Sequence, residues 1–298
     1  MTYAVTGSTG ALGTLAIQHL LTLKVPAASI VALARDEAKA VGLKAKGVQV
    51  RIADYGNKAS LEKALKGVDR LLLVSSSEVG KRAAQHQAVI DAAKTDGVKL
   101  VVYTSIGHAD TSSNPLAPEH KVTEKALLAS GLPFVVLRNN WYTENYADDV
   151  KNAKDSGVIA AAVGAGKVAS ASRTDYAEAA ARVLVGEGYA GKIYELSGTK
   201  AWDYQELAAT AAEILGRPVV FKNLTADERR KSLVSVGLPE GAAGFVTSLD
   251  QAIEAGTLAA ASSDLEKLLG RKPQSLKEGL SAAVHGAAGK NQGGSSNG

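Results

Sequence analysis

Three glycines near the start of the chain, Gly7, Gly10 and Gly13, have the spacing of a loop that binds phosphate groups. They follow a short β-prone run at 3–5 and precede an apolar pattern of helical spacing that starts at Leu12. In such a loop the first glycine permits a sharp turn, the second lets the backbone approach a pyrophosphate, and the third lets the helix pack against the sheet. The anion accepts hydrogen bonds from free N–H groups at the positive end of the helix.

Strand, glycine turn and helix in that order are the context that a dinucleotide-binding fingerprint requires. An ordinary tight turn between a strand and a helix is the alternative interpretation. The predicted pyrophosphate contacts are Gly7, Thr9, Gly10, Ala11, Leu12 and Gly13.

A basic side chain ends the predicted second strand, at the place where the adenosine ribose of a dinucleotide is recognised. The strand at 29–34 is followed by Arg35 and Asp36. A carboxylate here binds the ribose diol of NAD, whereas a guanidinium pairs with a 2′-phosphate. Arg35 therefore favours NADPH, and NADH is a weaker alternative because Asp36 could bind a ribose or simply cap the next helix. A solvated surface position is the alternative for Arg35.

Polar residues at the ends of the later strands complete the predicted cofactor site. Ligands of open α/β sheets bind at the carboxyl ends of the strands. Asp54 follows the third strand, where an adenine amino group is expected. The other predicted contacts at strand ends are Ser75, Ser76, Ser77, Thr104, Asn139 and Asn140.

The composition of the 298 residues excludes several classes of protein. Hydrophobic residues make up 46%, and there is no cysteine, so disulfides and thiolate metal sites are excluded. The net charge of +4 is dispersed, which argues against nucleic-acid binding. No apolar run is long enough to span a membrane, and the chain starts on a strand without room for a signal peptide. We expect a cytoplasmic protein without a metal site.

Strand and helix patterns alternate through the first half of the chain. Strands are predicted at 3–5, 29–34, 48–52, 70–74, 99–104 and 133–138, and helices at 36–45, 58–65, 80–95 and 118–130. The fourth to sixth strands are nearly continuous apolar runs, which indicates a sheet covered on both faces. The predicted fold is α/β, a doubly wound parallel Rossmann sheet with a smaller C-terminal α/β lobe.

The rhythm changes after Arg138, and we predict two lobes and a tail. The nucleotide-binding domain covers 1–140, with returning segments within 173–198. The substrate lobe is mainly 141–285, and 286–298 is a flexible tail rich in glycine and polar residues. Capping boxes at Asp203/Glu206 and Thr225/Glu228 each open a helix. Substrate should meet cofactor in the cleft between the lobes.

Several separated motifs occur in order along nearly the whole chain: Ser75-Ser76-Ser77-Glu78-Val79-Gly80, Tyr103-Thr104-Ser105, His108-Ala109-Asp110-Thr111, Leu137-Arg138-Asn139, Trp141-Tyr142, Glu144-Asn145-Tyr146 and Asp175-Tyr176-Ala177. Together they resemble the type 2 NAD(P)H:quinone oxidoreductases, which are NmrA-like atypical short-chain reductases related to triphenylmethane dye reductases. The resemblance implies a flavin-free, NADPH-linked enzyme that reduces a small-molecule quinone, and it leaves open whether the chain forms a homodimer.

The tyrosine and lysine that short-chain reductases use as a proton donor are missing. His120 occupies the expected tyrosine position and Glu124 the expected lysine position. A quinone tolerates this loss because the product phenolate is a far weaker base than an alkoxide, with a conjugate-acid pKa of roughly 10. His120 could still donate a proton near neutral pH, or it could be an ordinary helix residue.

The segment 139–146 is predicted to form the wall that holds the acceptor. The predicted catalytic residues are Tyr142, Asn145 and His120; Asn145 offers an amide to a quinone oxygen and Tyr142 a flat aromatic face. Trp141 and Tyr146 offer further flat aromatic faces, which could bind the acceptor or only join the two lobes. Arg173 and Asp175 are expected to form a cap and a pair between the lobes.

Two other functions remain open at this point. The acceptor could be a triphenylmethane dye, an azo compound or another conjugated electrophile. The missing tyrosine and lysine also suit a non-enzymatic redox sensor of the NmrA type that binds NADP(H) and a protein partner.

Overall fold

Seven parallel strands form the central sheet in a computed structural model that describes residues 1–286. Their spatial order is β3-β2-β1-β4-β5-β6-β9, and every neighbouring pair is parallel. The chain therefore reverses its direction of winding between β1 and β4, where a ligand crevice is expected. The strands are β1 (Tyr3–Val5), β2 (Ile30–Ala34), β3 (Gln49–Ile52), β4 (Arg70–Leu73), β5 (Leu100–Ile106), β6 (Phe134–Asn139) and β9 (Ile193–Leu196).

Helices cover both faces of this sheet. One apolar core lies between the sheet and α1 (Ala11–Thr22), α7 (Arg173–Val185) and α11 (Asp264–Leu269). The other lies beneath α3 (Lys58–Leu65), α4 (Arg82–Thr95) and α5 (Ala117–Ser130). The strands β4 and β5 are buried along their whole length, as their apolar runs predicted. The predicted fold class is confirmed.

The second crossover differs from its prediction. In place of one helix over 36–45, the chain forms a short 3₁₀ helix at Ala38–Ala40 and then α2 (Val41–Lys44). The Asp36 carboxylate accepts a hydrogen bond from the Ala38 N–H at 2.9 Å. A side chain that binds the backbone two residues on forms a turn, which competes with the regular helical hydrogen bonds.

The C-terminal part of the described chain has a core of its own. Two small sheets contribute to it: β8 (Lys167–Val168) with β10 (Trp202–Asp203), and β7 (Val158–Ala161) with β11 (Val220–Asn223). The predicted bounds of the two lobes stay a prediction. The helices of this part are α6 (Ala147–Ser156), α8 (Tyr204–Leu215), α9 (Ala226–Ser235), α10 (Glu240–Glu254) and α12 (Leu276–Gly286).

One of the two predicted capping boxes is complete. At α9 the Thr225 hydroxyl and the Glu228 carboxylate each accept a hydrogen bond from the other residue's N–H. At α8 only the Asp203 half forms, because the Glu206 carboxylate binds Lys200 instead. The helix α12 extends to Gly286, so that residue is not in a tail, and 287–298 lie outside the described residues.

A buried carboxylate joins α7 to the segment that follows α11. Asp175 is fully buried and accepts hydrogen bonds from Arg271 Nη2 and from the Gln274 N–H, both at 2.8 Å. Arg173 points elsewhere, and the helix cap is Ser172, so the predicted pair of Arg173 with Asp175 is wrong. The partner of Asp175 lies 96 residues away, which no local pattern reveals.

Adding one methyl group should have opposite effects on stability at Gly13, beside the glycine loop, and at Gly42, in α2. A Cβ on Gly13 would overlap the Gly7 carbonyl and lie 2.9 Å from Ser8 Cα, whereas a Cβ on Gly42 in α2 meets nothing within 4 Å. Gly13→Ala should lower the free energy of unfolding by about 1–3 kcal/mol, the usual cost of overpacking. Gly42→Ala should raise the free energy of unfolding by about 0.4–1 kcal/mol, because alanine lowers the conformational entropy of the unfolded chain. Urea denaturation measures both, and equal effects would contradict the close contact at Gly13.

Candidate functional site

The glycine loop leaves the first N–H groups of α1 available to an anion. Gly7 has φ +55°, in the left-handed region that glycine adopts readily. Gly10 is the N-cap of α1 and has no side chain to accept a hydrogen bond from the helix. The N–H groups of the first turn therefore need an acceptor from outside. This arrangement fits a pyrophosphate.

A cavity of about 540 Å³ extends from this loop along the carboxyl ends of the strands to the segment after β6. It brings together most of the residues predicted for the cofactor and all three predicted catalytic residues. The predicted residues that line it are Gly7, Thr9, Gly10, Ala11, Leu12, Gly13, Arg35, Ser75, Ser76, Ser77, His120, Asn139, Asn140, Tyr142 and Asn145.

Two predicted cofactor contacts lie outside the cavity wall. Asp54 is exposed, and its carboxylate accepts a hydrogen bond from the Gly56 N–H at 2.8 Å. Thr104 is buried behind the wall, where its hydroxyl accepts from the Ser75 N–H at 2.9 Å. Thr104 thus supports the loop after β4. Tyr55, next to Asp54, lines the cavity instead.

An ion pair crosses the end of the cavity where Arg35 lies. Arg35 Nη1 and Glu78 Oε1 are 2.9 Å apart, and the Arg35 side chain is 69% exposed. Lys39 is a second cation in the wall at this end. The sequence interpretation did not anticipate Glu78 as the partner of Arg35, because the two residues are brought together only by the adjacency of β2, β1 and β4.

Two amides at the other end of the cavity have unused oxygens. Asn139 Oδ1 and Asn140 Oδ1 are buried and have no hydrogen-bond partner among the described residues. Asn140 Nδ2 donates to the Leu258 carbonyl at 3.0 Å, which fixes the side chain. A buried unpaired acceptor is costly. A ligand with N–H or O–H donors fits this end of the cavity.

Arg173 contacts two residues of the predicted acceptor wall. Its guanidinium lies 4.9 Å from the centre of the Tyr142 ring, and its Nη2 donates to Asn145 Oδ1 at 2.7 Å. The Asn145 amide nitrogen is thereby left for a ligand. Burial raises the pKa of Tyr142, so its hydroxyl stays protonated and remains a hydrogen-bond donor.

His120 is a neutral imidazole at physiological pH. It is buried, its Nδ1 lies 2.7 Å from the Tyr103 hydroxyl, and it lines the cavity. Burial, and to a lesser degree the charges of Arg82 and His86, lower the pKa of His120 to about 3. The expectation that His120 donates a proton as an imidazolium near neutral pH is therefore wrong, because the sequence did not reveal its burial.

Glu124 does not replace the missing lysine. Its carboxylate accepts hydrogen bonds from Nε and Nη2 of Arg138, at 3.0 and 2.7 Å, and from the Ser105 hydroxyl at 2.6 Å. Arg138 also contacts Asp110 and Glu195. This network ties the middle of α5 to β5 and β6, and Glu124 is not part of the cavity wall.

Trp141 and Tyr146, for which the sequence left two roles open, lie in different environments. Trp141 lines the cavity. Tyr146 is buried in the C-terminal core, edge-on to Trp202 at 4.9 Å and to Tyr204 at 5.8 Å, and lies outside the cavity wall. Tyr146 therefore packs the lobe.

Arg82 is a cavity residue that the sequence interpretation missed. It is only 5% exposed, and its Nε donates to the Ser76 carbonyl at 2.7 Å. The available signal was a basic residue at the start of the helix that follows β4, because that helix start faces the ligand crevice. In the described residues there is no cluster that could hold a metal ion, and no helix there is long and apolar enough to cross a membrane.

Comparison with known proteins assigns the family. Residues 1–282 match the model of the NmrA-like family. The chain belongs to the NmrA-like family. It is 49% identical to quinone oxidoreductase 2 of Escherichia coli over 93% of this chain and 97% of that protein. The resemblance expected from the sequence motifs is confirmed.

Two solved structures are closely similar to this fold. An NADPH-dependent quinone oxidoreductase from Escherichia coli, complexed with NADPH, is 48% identical, with a TM-score of 0.91 and coverage of 94% of this chain and 99% of that one. A Citrobacter triphenylmethane reductase complexed with NADP(H) is 39% identical, with a TM-score of 0.91 and coverage of 95% and 100%. Both neighbours bind a nicotinamide cofactor phosphorylated on the adenosine side.

The neutral histidines beside the cavity predict how stability depends on pH. Burial lowers the pKa of His86 and of His120 to about 3, whereas an unfolded histidine titrates near 6.5. Below about pH 6.5 the unfolded state binds more protons than the folded state does. The stability that comes from keeping these histidines neutral is therefore complete above that pH and is lost as the pH falls. Each histidine should remove about 1 kcal/mol of unfolding free energy between roughly pH 7 and 5.5.

The measurement is urea denaturation of the unaltered protein and of His120→Gln across this range. The variant should lose about 1 kcal/mol less stability than the unaltered protein on acidification. His285→Gln, at an exposed position of α12, is the control and should follow the unaltered protein. Parallel curves for all three proteins would contradict a neutral buried His120.

Proposed function

We propose that this protein is an NADPH-dependent quinone reductase. The observation that carries the proposal is one continuous cavity lined by the glycine loop, by the exposed Arg35, and by the amides and aromatic rings of the segment after β6. The similarity to the Escherichia coli quinone oxidoreductase supports the same activity.

The residues of the cavity fit the three polar parts of NADPH. The N–H groups at the start of α1 would bind the pyrophosphate, and Arg35 with Lys39 would bind the 2′-phosphate. The unpaired oxygens of Asn139 and Asn140 would accept from the ribose or carboxamide of the nicotinamide half. The cofactor supplies a hydride, and we propose that it passes to the quinone without a flavin.

The acceptor end would bind a planar electron-poor ring. Trp141 and Tyr142 offer aromatic surfaces, and the Asn145 amide and the Tyr142 hydroxyl are hydrogen-bond donors for a quinone oxygen. The protein thereby holds the acceptor at the cofactor and excludes water. A triphenylmethane dye is the second candidate acceptor, favoured by the similarity to the Citrobacter reductase.

Steady-state loss of NADPH absorbance tests the function with a panel of small quinones, triphenylmethane dyes and azo compounds. We expect quinones to give the highest kcat/KM. Asn145→Ala should lower kcat/KM for quinones by about tenfold, the value of one or two hydrogen bonds. Tyr146→Phe, which removes a hydroxyl outside the cavity, is the matched control and should retain activity. Absence of quinone-dependent NADPH oxidation would end the proposal.

The ion pair at the Arg35 end predicts cofactor selectivity. Arg35→Ala should weaken NADPH binding by about tenfold or more and leave NADH binding nearly unchanged, because only NADPH carries the 2′-phosphate. Glu78→Gln should tighten NADPH binding, since the carboxylate competes with the phosphate for Arg35. Lys46→Ala, an exposed site after α2, is the control. Calorimetric titration measures all four proteins, and equal losses for both cofactors would contradict the assignment of Arg35.

A further inference from the structure

Arg82 brings a buried positive charge to the wall of the cavity. It is 5% exposed, and one of its terminal nitrogens, Nη1, is buried without a hydrogen bond. The guanidinium is fixed by the hydrogen bond that its Nε donates to the Ser76 carbonyl. A buried guanidinium with an unused donor is expensive unless a ligand completes it.

This charge lies close to the start of α5, which carries His120, because Arg82 Nη1 is 3.5 Å from Glu119, the residue before His120. Its field acts on His120, His86, Tyr103 and Tyr142, and in each case it favours the less protonated form and so lowers the pKa. Arg35, in contrast, acts on Tyr55. The two arginines therefore act on different residues around the cavity.

The charge of Arg82 is only partly balanced by nearby carboxylates. Glu119 on α5 approaches to 3.5 Å from Nη1, but both of its oxygens also accept from the Gly80 N–H, at 3.1 Å. Glu124, further along α5, is neutralised by Arg138. His86 and His120 carry no charge at neutral pH. Arg173 adds a second cation over the Tyr142 ring, beside Glu144.

A second donor faces the same region. When the Tyr103 hydroxyl donates to Nδ1 of the neutral His120, the ring carries its proton on Nε2, which has no partner among residues 1–286. Arg82 Nη1 and His120 Nε2 are then two unused N–H donors of one cavity wall. Preorganised donors of this kind stabilise a developing negative charge strongly in a site that excludes water.

We propose that Arg82 is a catalytic residue that binds the oxygen anion formed when the acceptor is reduced. The inference rests on the proposed quinone reduction. A quinone that gains a hydride, which is two electrons and one proton, becomes a hydroquinone monoanion while NADPH is oxidised to NADP⁺. The monoanion takes its second proton from water, and Arg82 keeps its own protons throughout. The guanidinium thus takes over the electrostatic task of the missing tyrosine and lysine.

A phenol that changes colour on ionisation tests this charge without turnover. The full-length protein saturated with NADP⁺ is titrated with para-nitrophenol, and the absorbance of the bound phenolate is followed against pH. We expect the bound phenol to ionise at lower pH than the free one by about one unit, a roughly tenfold gain in phenolate. Arg82→Met should abolish this shift, and Glu119→Gln, which removes the counter-charge, should enlarge it.

The control is Lys94→Met, which removes one positive charge from the exposed last turn of the same helix. It should leave the shift unchanged. Steady-state kinetics give a second readout: Arg82→Met should lower kcat with quinones by about 10- to 100-fold and leave the KM for NADPH within about twofold, because the anion forms only in the reaction. Arg82→Lys, which keeps the charge, should restore part of both effects.

The other outcomes overturn the inference in distinguishable ways. An unchanged shift in Arg82→Met, or no binding of the phenol, would exclude Arg82 as the group that binds the anion. A loss of NADPH affinity with an unchanged kcat would make Arg82 a ligand of a cofactor phosphate. Failure of the unaltered protein to oxidise NADPH with any quinone would instead remove the proposed function itself.

Discussion

The close approach of α1 to the backbone of the glycine loop is the contact on which the rest of the structure depends. At Gly13 there is no room for even a methyl group beside Gly7 and Ser8. This contact aims the free N–H groups of α1 into the crevice between β1 and β4, and it places α1 against α7 in one core. The same packing that stabilises the sheet therefore also creates the anion site.

The cavity that begins at this loop is divided electrostatically. At one end Arg35 is exposed, so it is free to exchange its Glu78 partner for a phosphate. Near the start of α5, Arg82 is buried and its Nε donates to the Ser76 carbonyl. Exposure weakens the first charge by solvent screening, whereas burial strengthens the second. A dinucleotide and a planar acceptor require these two different environments.

The two residues that stand in place of the usual tyrosine and lysine, His120 and Glu124, are both unable to supply a proton at neutral pH. His120 is kept neutral by burial and by the positive charge of Arg82, and Glu124 is committed to Arg138 and Ser105. A site arranged in this way can stabilise negative charge but is poorly suited to deliver protons. That balance agrees with an acceptor whose reduced form is a weak base, such as a quinone.

The sequence by itself determined the fold class, the glycine loop and the residues at the ends of the strands, because apolar runs, the 3.6-residue helical period and the glycine spacing are local properties. Tertiary structure alone decided the charge of His120, the pairing of Arg35 with Glu78 and of Asp175 with Arg271, and the role of Tyr146 in packing. Each of these depends on groups far apart in the chain. Arg82 belongs to the same class: the residue type was visible in the sequence, but its burial beside the cavity was not.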